Sequence, residues 1–168
     1  IDGAGLAVVA DSFAALEQRV EREGRLTWEE VTRHLRENFE GEGGVAVRKL
    51  LQTAPRYGQE DSPGESWALR VRDAFVAAVP RTEPGRVFIP GFFSWANTVG
   101  FGLSVGATPN GRKAATPISH GANPVPGFAL DDASLSLATC IARIQPGYGN
   151  TAPMQWEIDP SLARQDNA

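Results

Sequence analysis

The sequence predicts an α/β fold in which helices come first and strands follow. Three observations carry that prediction. Apolar residues in the first half recur at helical spacing between recognisable start and stop signals. From Arg86 to Ala107 that spacing vanishes, and Val, Phe, Trp and Gly take over. From Gly106 to Gly127 the run GATPNGRKAATPISHGANPVPG is too rich in Gly and Pro for a helix or a plain strand.

Taken in order, the first helix is expected over Ala7–Glu23, with Val9, Phe13, Leu16 and Val20 as its stripe and Gly24 as its stop. Thr27 and Glu30 then form an S/T-x-x-E capping box, in which each side chain satisfies the other's backbone N–H. Trp28, Val31, Leu35 and Phe39 make the apolar stripe of the helix that follows, and His34 falls on its exposed side. The glycines of EGEGG break that helix, and a short one follows over Val45–Thr53. Ser62, Pro63 and Glu65 mark the next start, with Trp67, Val71, Ala74, Phe75 and Ala78 as the buried face and Pro80 as the end. Two short strands are expected near Val87–Phe93 and Ala96–Val105, with Pro90-Gly91 bending the first. Asp131 or Asp132 caps a helix that ends near Ile144, a turn follows over Gln145–Asn150, and Met154, Trp156 and Ile158 alternate as in a half-buried strand. Asp159-Pro160 would start another helix.

Composition excludes several classes of function. The 168 residues suit one domain or a large part of one, and a net charge of −4 without a basic block argues against nucleic acid or an anionic membrane as partner. A single cysteine rules out an internal disulfide framework and a multi-cysteine zinc site. No run is long and apolar enough to span a bilayer, and no signal segment opens the chain. A cytoplasmic protein is the expectation, and the start at Ile1, on the tail of a loop, reads as a piece of a longer chain.

Residue chemistry gives no self-sufficient catalytic constellation. Cys140 lies in the apolar run LATCIARI, where a packed thiol is the simpler reading. Ser119 and His120 are adjacent, and neighbouring side chains diverge, so the pair reads as part of a loop's hydrogen bonding. His34 and His120 do not make a metal site. The segment around Gly106–Lys113 superficially looks like a phosphate loop but lacks the GK[ST] ending, and Pro109-Asn110-Gly111 is better read as a tight turn. Phe92, Phe93 and Trp95 suit a core, or the wall of an apolar pocket.

The run from Gly106 to Gly127 resembles the glycyl radical enzyme superfamily, the pyruvate formate-lyase-like proteins. In that family a strand leads into G-x-T/L-P-D-G-R-x-A and then G-x-S/N-P-x-x-G. Here these are Gly106-Ala107-Thr108-Pro109-Asn110-Gly111-Arg112-Lys113-Ala114 and Gly121-Ala122-Asn123-Pro124-Val125-Pro126-Gly127. GLAVVADSFAALEQRV, LTWEEVTRHLRENFEG, LQTAPRYGQED, FIPGFFSWANTVGFG and APMQWEIDPSLA resemble further family segments, in the family's order.

That resemblance implies a part of a ten-stranded α/β barrel with its outer helices, residues 1–168 lacking the upstream thiol loop and the downstream glycyl radical domain. It implies a parent enzyme whose glycyl radical is installed by a partner activating enzyme using S-adenosylmethionine and an iron–sulfur cluster. The radical passes to a cysteine, whose thiyl opens C–C or C–O/C–N cleavage of a small substrate. A homodimer is the expected assembly. The family's G-C-x-E and R-V-x-G-Y contexts do not occur in these residues, so no residue here is expected to be catalytic, to bind a cofactor or to hold a metal. Phe93, Trp95, Asn97, Met154 and Trp156 are the candidate substrate-pocket residues, and Gly106, Pro109, Gly111, Arg112, Asn123 and Pro124 form a structural loop, with Arg112 bonding carbonyls or a carboxylate. Expressed alone, such a piece is expected to be poorly soluble and inactive. Two other readings stay open: a stand-alone, non-catalytic module derived from the same barrel, and a phosphate-binding domain using Gly106–Lys113.

Overall fold

A computed structural model describes residues 1–79, 82–92, 97–127, 133–145 and 153–155. The first helix, α1 (Leu6–Leu16), continues as a π-helical turn over Glu17–Arg22. Then come α2 (Trp28–Arg36), α3 (Gly44–Gln52) and α4 (Pro63–Ala78). A hairpin of β1 (Thr82–Glu83) and β2 (Arg86–Val87) precedes α5 (Thr98–Leu103), and α6 (Ala133–Ile144) follows the Gly/Pro loop. The described residues are therefore mostly helical, with little strand.

Helix α1 buries its small face. Leu6, Ala7, Ala10, Ala14 and Ala15 are almost wholly covered, while Val9 and Phe13 are exposed by about two-fifths. The expected stripe of Val9 and Phe13 is thus the outer one. Small side chains let α1 lie close against Ala68 of α4, and Phe13 stacks on Trp67 at 4.7 Å across the rim of that contact. On α4 the buried residues are Gly64, Glu65 and Ala68. Trp67, Val71 and Phe75 are half-buried, and Ala74 and Ala78, expected inside, are exposed. Gly64 is required there: a Cβ would sit 2.2 Å from the Tyr57 nitrogen.

Local start signals act as written in the sequence. Thr27 accepts from the Glu30 N–H at 3.1 Å, and Glu30 accepts from the Thr27 N–H at 2.8 Å, a complete capping box. Ser62 accepts from the Glu65 N–H, with Pro63 opening α4, but Glu65 turns its carboxylate to the Asp61 N–H and to Arg143 instead. The second capping box is therefore only half made.

Other expectations are corrected. His34, expected on the solvent side, is 2 % exposed. The chain reverses just after α2 through Asn38 (φ 53) and Phe39 (φ 60), the Phe39 N–H bonds the His34 carbonyl, and the fold-back covers the ring. Its Nδ1 makes no hydrogen bond. Trp28, expected in the stripe, is 54 % exposed. The strand expected over 96–105 is helix α5 instead, residues 93–96 lying outside the described set. Asn97 adopts φ 61 and turns the chain into a helix, and the Phe101 N–H closes on its carbonyl at 2.8 Å. Gly102 lets that helix sit against the Thr116 carbonyl, where a Cβ would fall at 2.2 Å. Tertiary contact overrides the β preference of Val and Phe here.

Of the strand expected over 87–93, Val87 pairs with Thr82, and Gly91 pairs in parallel with Asp2. The Gly91 N–H donates to the Ile1 carbonyl at 3.0 Å, and the Gly3 N–H donates to the Gly91 carbonyl at 2.9 Å. Pro90 has no N–H to give, and pairing changes partner across it. The helix expected near Ile144 is α6, whose expected cap at Asp131 or Asp132 lies outside the described residues, as do most of the turn and strand expected beyond it.

Loss of the first capping box has a defined consequence. Thr27→Ala is expected to lower unfolding stability by about 1 kcal/mol, and Thr27→Ser by much less. Denaturant titration of the two variants measures this.

Candidate functional site

The Gly/Pro loop is tied to the helices at a buried charged pair. Asp11 stands in the middle of α1, 2 % exposed, and Arg56 lies in the loop between α3 and α4, 8 % exposed. Arg56 Nη1 donates to Asp11 Oδ2 at 3.1 Å, and the Tyr57 N–H donates to Asp11 Oδ1 at 2.8 Å. Arg56 also donates from Nη2 to the Asn110 carbonyl at 2.7 Å and from Nε to the Gln52 carbonyl at 3.2 Å. Ser12, next to Asp11, accepts from the Asn110 N–H at 3.2 Å. Both backbone groups of Asn110 are thus held from the helical layer.

Asn110 organises the turn it sits in. Its Oδ1 accepts from Thr108 Oγ1 at 2.7 Å and from the Arg112 N–H at 3.2 Å. The Gly111 N–H closes on the Thr108 carbonyl, and the Thr108 N–H closes on the Arg112 carbonyl. Gly111, at φ 83, takes the left-handed position that a three-residue hairpin loop requires. A side chain there would also strike Gln52 Cγ at 2.4 Å. Arg48 Nε donates to the Gly111 carbonyl at 2.8 Å, so α3 holds the turn as well.

Arg112 gathers the loop around itself. It donates to the carbonyls of Val105, Gly106, Lys113 and Thr116 and to Thr116 Oγ1. Its partners are carbonyl and hydroxyl oxygens, and burial lowers its pKa. Asn38 Oδ1 accepts from the Ala114 N–H at 2.7 Å, so the end of α2 is a further anchor. Tyr57, wholly buried, donates from its hydroxyl to the Ala122 carbonyl at 2.7 Å, and burial raises its pKa well above the ordinary phenol value. The next residue, Asn123, is 3 % exposed and bonds the segment 153–155. A cavity of about 360 Å³ lies beside these anchors, lined by Asp11, Gln52, Arg56, Tyr57, Gln59 and Pro124. The charged groups on its wall are already committed to one another.

The remaining sequence candidates fall in different places. Phe93, Trp95 and Trp156 lie outside the described residues. Asn97 is exposed, at the start of α5, and Met154 is half-buried against the core that contains Phe92 and Ile141. Gly106 is exposed and Pro109 and Pro124 are half-buried, and the oxygens that Arg112 bonds belong to Val105, Gly106, Lys113 and Thr116 rather than to Asn97 or Met154. Cys140 is fully buried in α6, beside Glu65, and burial pushes its thiol up to about 12. It is a protonated core thiol. Ser119 is buried without a hydrogen bond from Oγ, and the His120 carbonyl accepts from the Asn123 N–H at 2.7 Å. No group of three metal-ligating side chains occurs among the described residues. Sequence reasoning missed Asp11, Arg56, Tyr57 and Asn38. A lone Asp inside the apolar run VVADSFAAL was the available signal, since a charge there needs a buried partner.

The buried pair gives a pH signature. Burial raises the Asp11 carboxyl to about 6, outweighing the pull of Arg56 and of the Tyr57 N–H in the other direction. The folded chain then holds this proton more tightly than an unfolded aspartate at 3.8 does. The stabilisation from that proton is complete below 3.8 and is lost as pH rises through about 6. The melting temperature of the wild type minus that of Asp11→Asn is expected to shrink between pH 4 and pH 7. A gap that widens over that range contradicts the assignment.

Comparison with known proteins agrees with this architecture. Residues 1–102 match the pyruvate formate lyase-like family. The isethionate sulfite-lyase of Oleidesulfovibrio alaskensis is 33% identical over 156 residues, covering 92% of this chain and 19% of that protein. Hydroxyproline dehydratase from Clostridioides difficile superposes with a TM-score of 0.77 at 25% identity, over 88% of this chain and 19% of that one. The B12-independent glycerol dehydratase of Clostridium butyricum superposes with a TM-score of 0.75 at 27% identity, over 85% of this chain and 19% of that one. The chain spans about a fifth of the length of these relatives. With residues 1–102 matched by the family model, the chain belongs to the pyruvate formate lyase-like, glycyl radical enzyme family.

Proposed function

We propose that this chain is part of the barrel of a glycyl radical lyase or dehydratase that cleaves a C–C, C–O, C–N or C–S bond of a small substrate. The similarity to an isethionate sulfite-lyase along nine-tenths of the chain carries this reading. Relatives named for isethionate, glycerol and trans-4-hydroxy-L-proline support a small hydroxylated molecule as substrate class. In such an enzyme the glycyl radical, installed by an activating partner with S-adenosylmethionine and an iron–sulfur cluster, supplies hydrogen-atom abstraction. A homodimer is the assembly proposed for the whole protein.

The residues of this chain would serve as wall and brace. The hub at Asp11 and Arg56 and the fork of Arg112 hold the Gly/Pro connector through direct bonds between protein groups, an arrangement that suits the wall of a closed reaction chamber. Phe93, Trp95, Asn97, Met154 and Trp156 remain the proposed contributors to the chamber wall. Cys140, protonated and packed in α6, is unsuited to be the reactive sulfur. Two features support continuation of the structure on this side. Val99, Phe101 and Leu103 of α5 are about half exposed or more, and the parallel pair at Asp2 and Gly91 is an isolated bridge.

The test is expression of the complete reading frame that encodes this chain, under anaerobic conditions, with its activating enzyme and S-adenosylmethionine. The expected outcome is an organic-radical signal by electron paramagnetic resonance, with breakdown of a small hydroxylated compound. A frame that closes at the ends of this chain and yields no radical supports a stand-alone module instead.

A further inference from the structure

Asn123 makes a contact unlike the others in the loop. Its Nδ2 donates to the Pro153 carbonyl at 2.8 Å, and its Oδ1 accepts from the Gln155 N–H at 2.8 Å. A residue in a parallel ladder reads its neighbour in the same way, bonding the carbonyl before and the N–H after the residue opposite. Here a side-chain carboxamide does so, and the residue opposite is Met154.

Asn123 is itself firmly placed. It is 3 % exposed, its N–H bonds the His120 carbonyl at 2.7 Å, and it follows Ala122, whose carbonyl holds the Tyr57 hydroxyl. Tyr57 is in turn fixed by its N–H to Asp11. A continuous line of bonds therefore runs from the buried charged pair to the segment 153–155. Met154 lies against the core cluster that holds Phe92 and Ile141.

We infer that Asn123 is a positioning residue, which stands in for a β-strand and sets the register of residues 153–155, and thereby the face on which Met154 lies. In an extended segment a slip of one residue turns every side chain to the opposite face. Two bonds from one amide hold the register in which Met154 stands opposite, because a one-residue slip must break both and turn Met154 away from the core cluster it packs on. The bearing of this on catalysis rests on the barrel reading. The positioning itself needs neither radical nor substrate, so its test and that of the barrel reading fail separately.

Met154 is the sole methionine of this sequence, so ¹³C-methyl methionine labelling of the complete protein, with Met154→Leu to assign the signal, identifies its resonance. Asn123→Ala removes both bonds. The Met154 methyl is expected to shift towards its unfolded position, and exchange of the Gln155 amide to quicken about tenfold, the equivalent of one net hydrogen bond. The indole N–H of Trp67, bonded to Glu17 at the start of the π-helical turn that continues α1, reports general loosening and is expected to stay unmoved. Asn123→Asp keeps the acceptor and loses the donor, so Gln155 is expected to stay protected while the methyl still shifts. An unmoved methyl in either variant overturns the inference. So does a Trp67 signal that changes as much as Met154 in Asn123→Ala, or a Gln155 amide that loses protection in Asn123→Asp.

Discussion

A carboxylate and a guanidinium removed from water together organise most of what surrounds them. Asp11 and Arg56 lie 45 residues apart in sequence, and each bonds backbone as well as its partner. Burial of the two charges is tolerable only because the remaining lone pair and N–H groups are also satisfied. That requirement fixes where three pieces of chain must run: α1, the start of the connector before α4, and the turn at Asn110. Removing either partner would leave a buried charge facing carbonyls or an N–H. The pair therefore specifies geometry more than it adds net stability.

From this hub the connector of residues 106–127 is held at both ends. At the near end the Asn110 and Gly111 carbonyls of the turn accept from Arg56 and Arg48, and Arg112 takes the flanking carbonyls of Val105, Gly106, Lys113 and Thr116. At the far end Tyr57 reaches Ala122, and Asn123 passes the constraint on to the segment that bears Met154. Its Gly and Pro residues would otherwise leave a long irregular run without a ladder of its own. The basic residues of this loop, Arg112 and Lys113, face protein oxygens.

Legibility in the sequence followed the range of the forces involved. The helix starts at Thr27 and Ser62 and the turn at Asn110-Gly111 were readable, because each is decided within four residues. Contacts decided over dozens of residues were not. Helix α5 has the composition of a strand, and only the left-handed Asn97 and the close seat of Gly102 on Thr116 make it helical. His34 looks solvent-facing by helical phase, yet the reversal at Asn38 and Phe39 folds chain over it. The small face of α1 was passed over because periodicity ranks Val and Phe above Ala, while close helix contact favours Ala. Family membership was legible for a different reason: the loop's residue pattern is set by turn geometry and buried donors, which admit few substitutes.

The central claim is that Asp11 and Arg56 act as one unit that ties α1 to the connector. A double-mutant cycle on unfolding free energy, with Asp11→Ala, Arg56→Ala and the double variant, tests it most directly. The expected coupling is about 2 kcal/mol, with the double variant less unstable than the sum of the singles. Additivity within about 0.5 kcal/mol would mean that the two residues act independently, and would contradict the account.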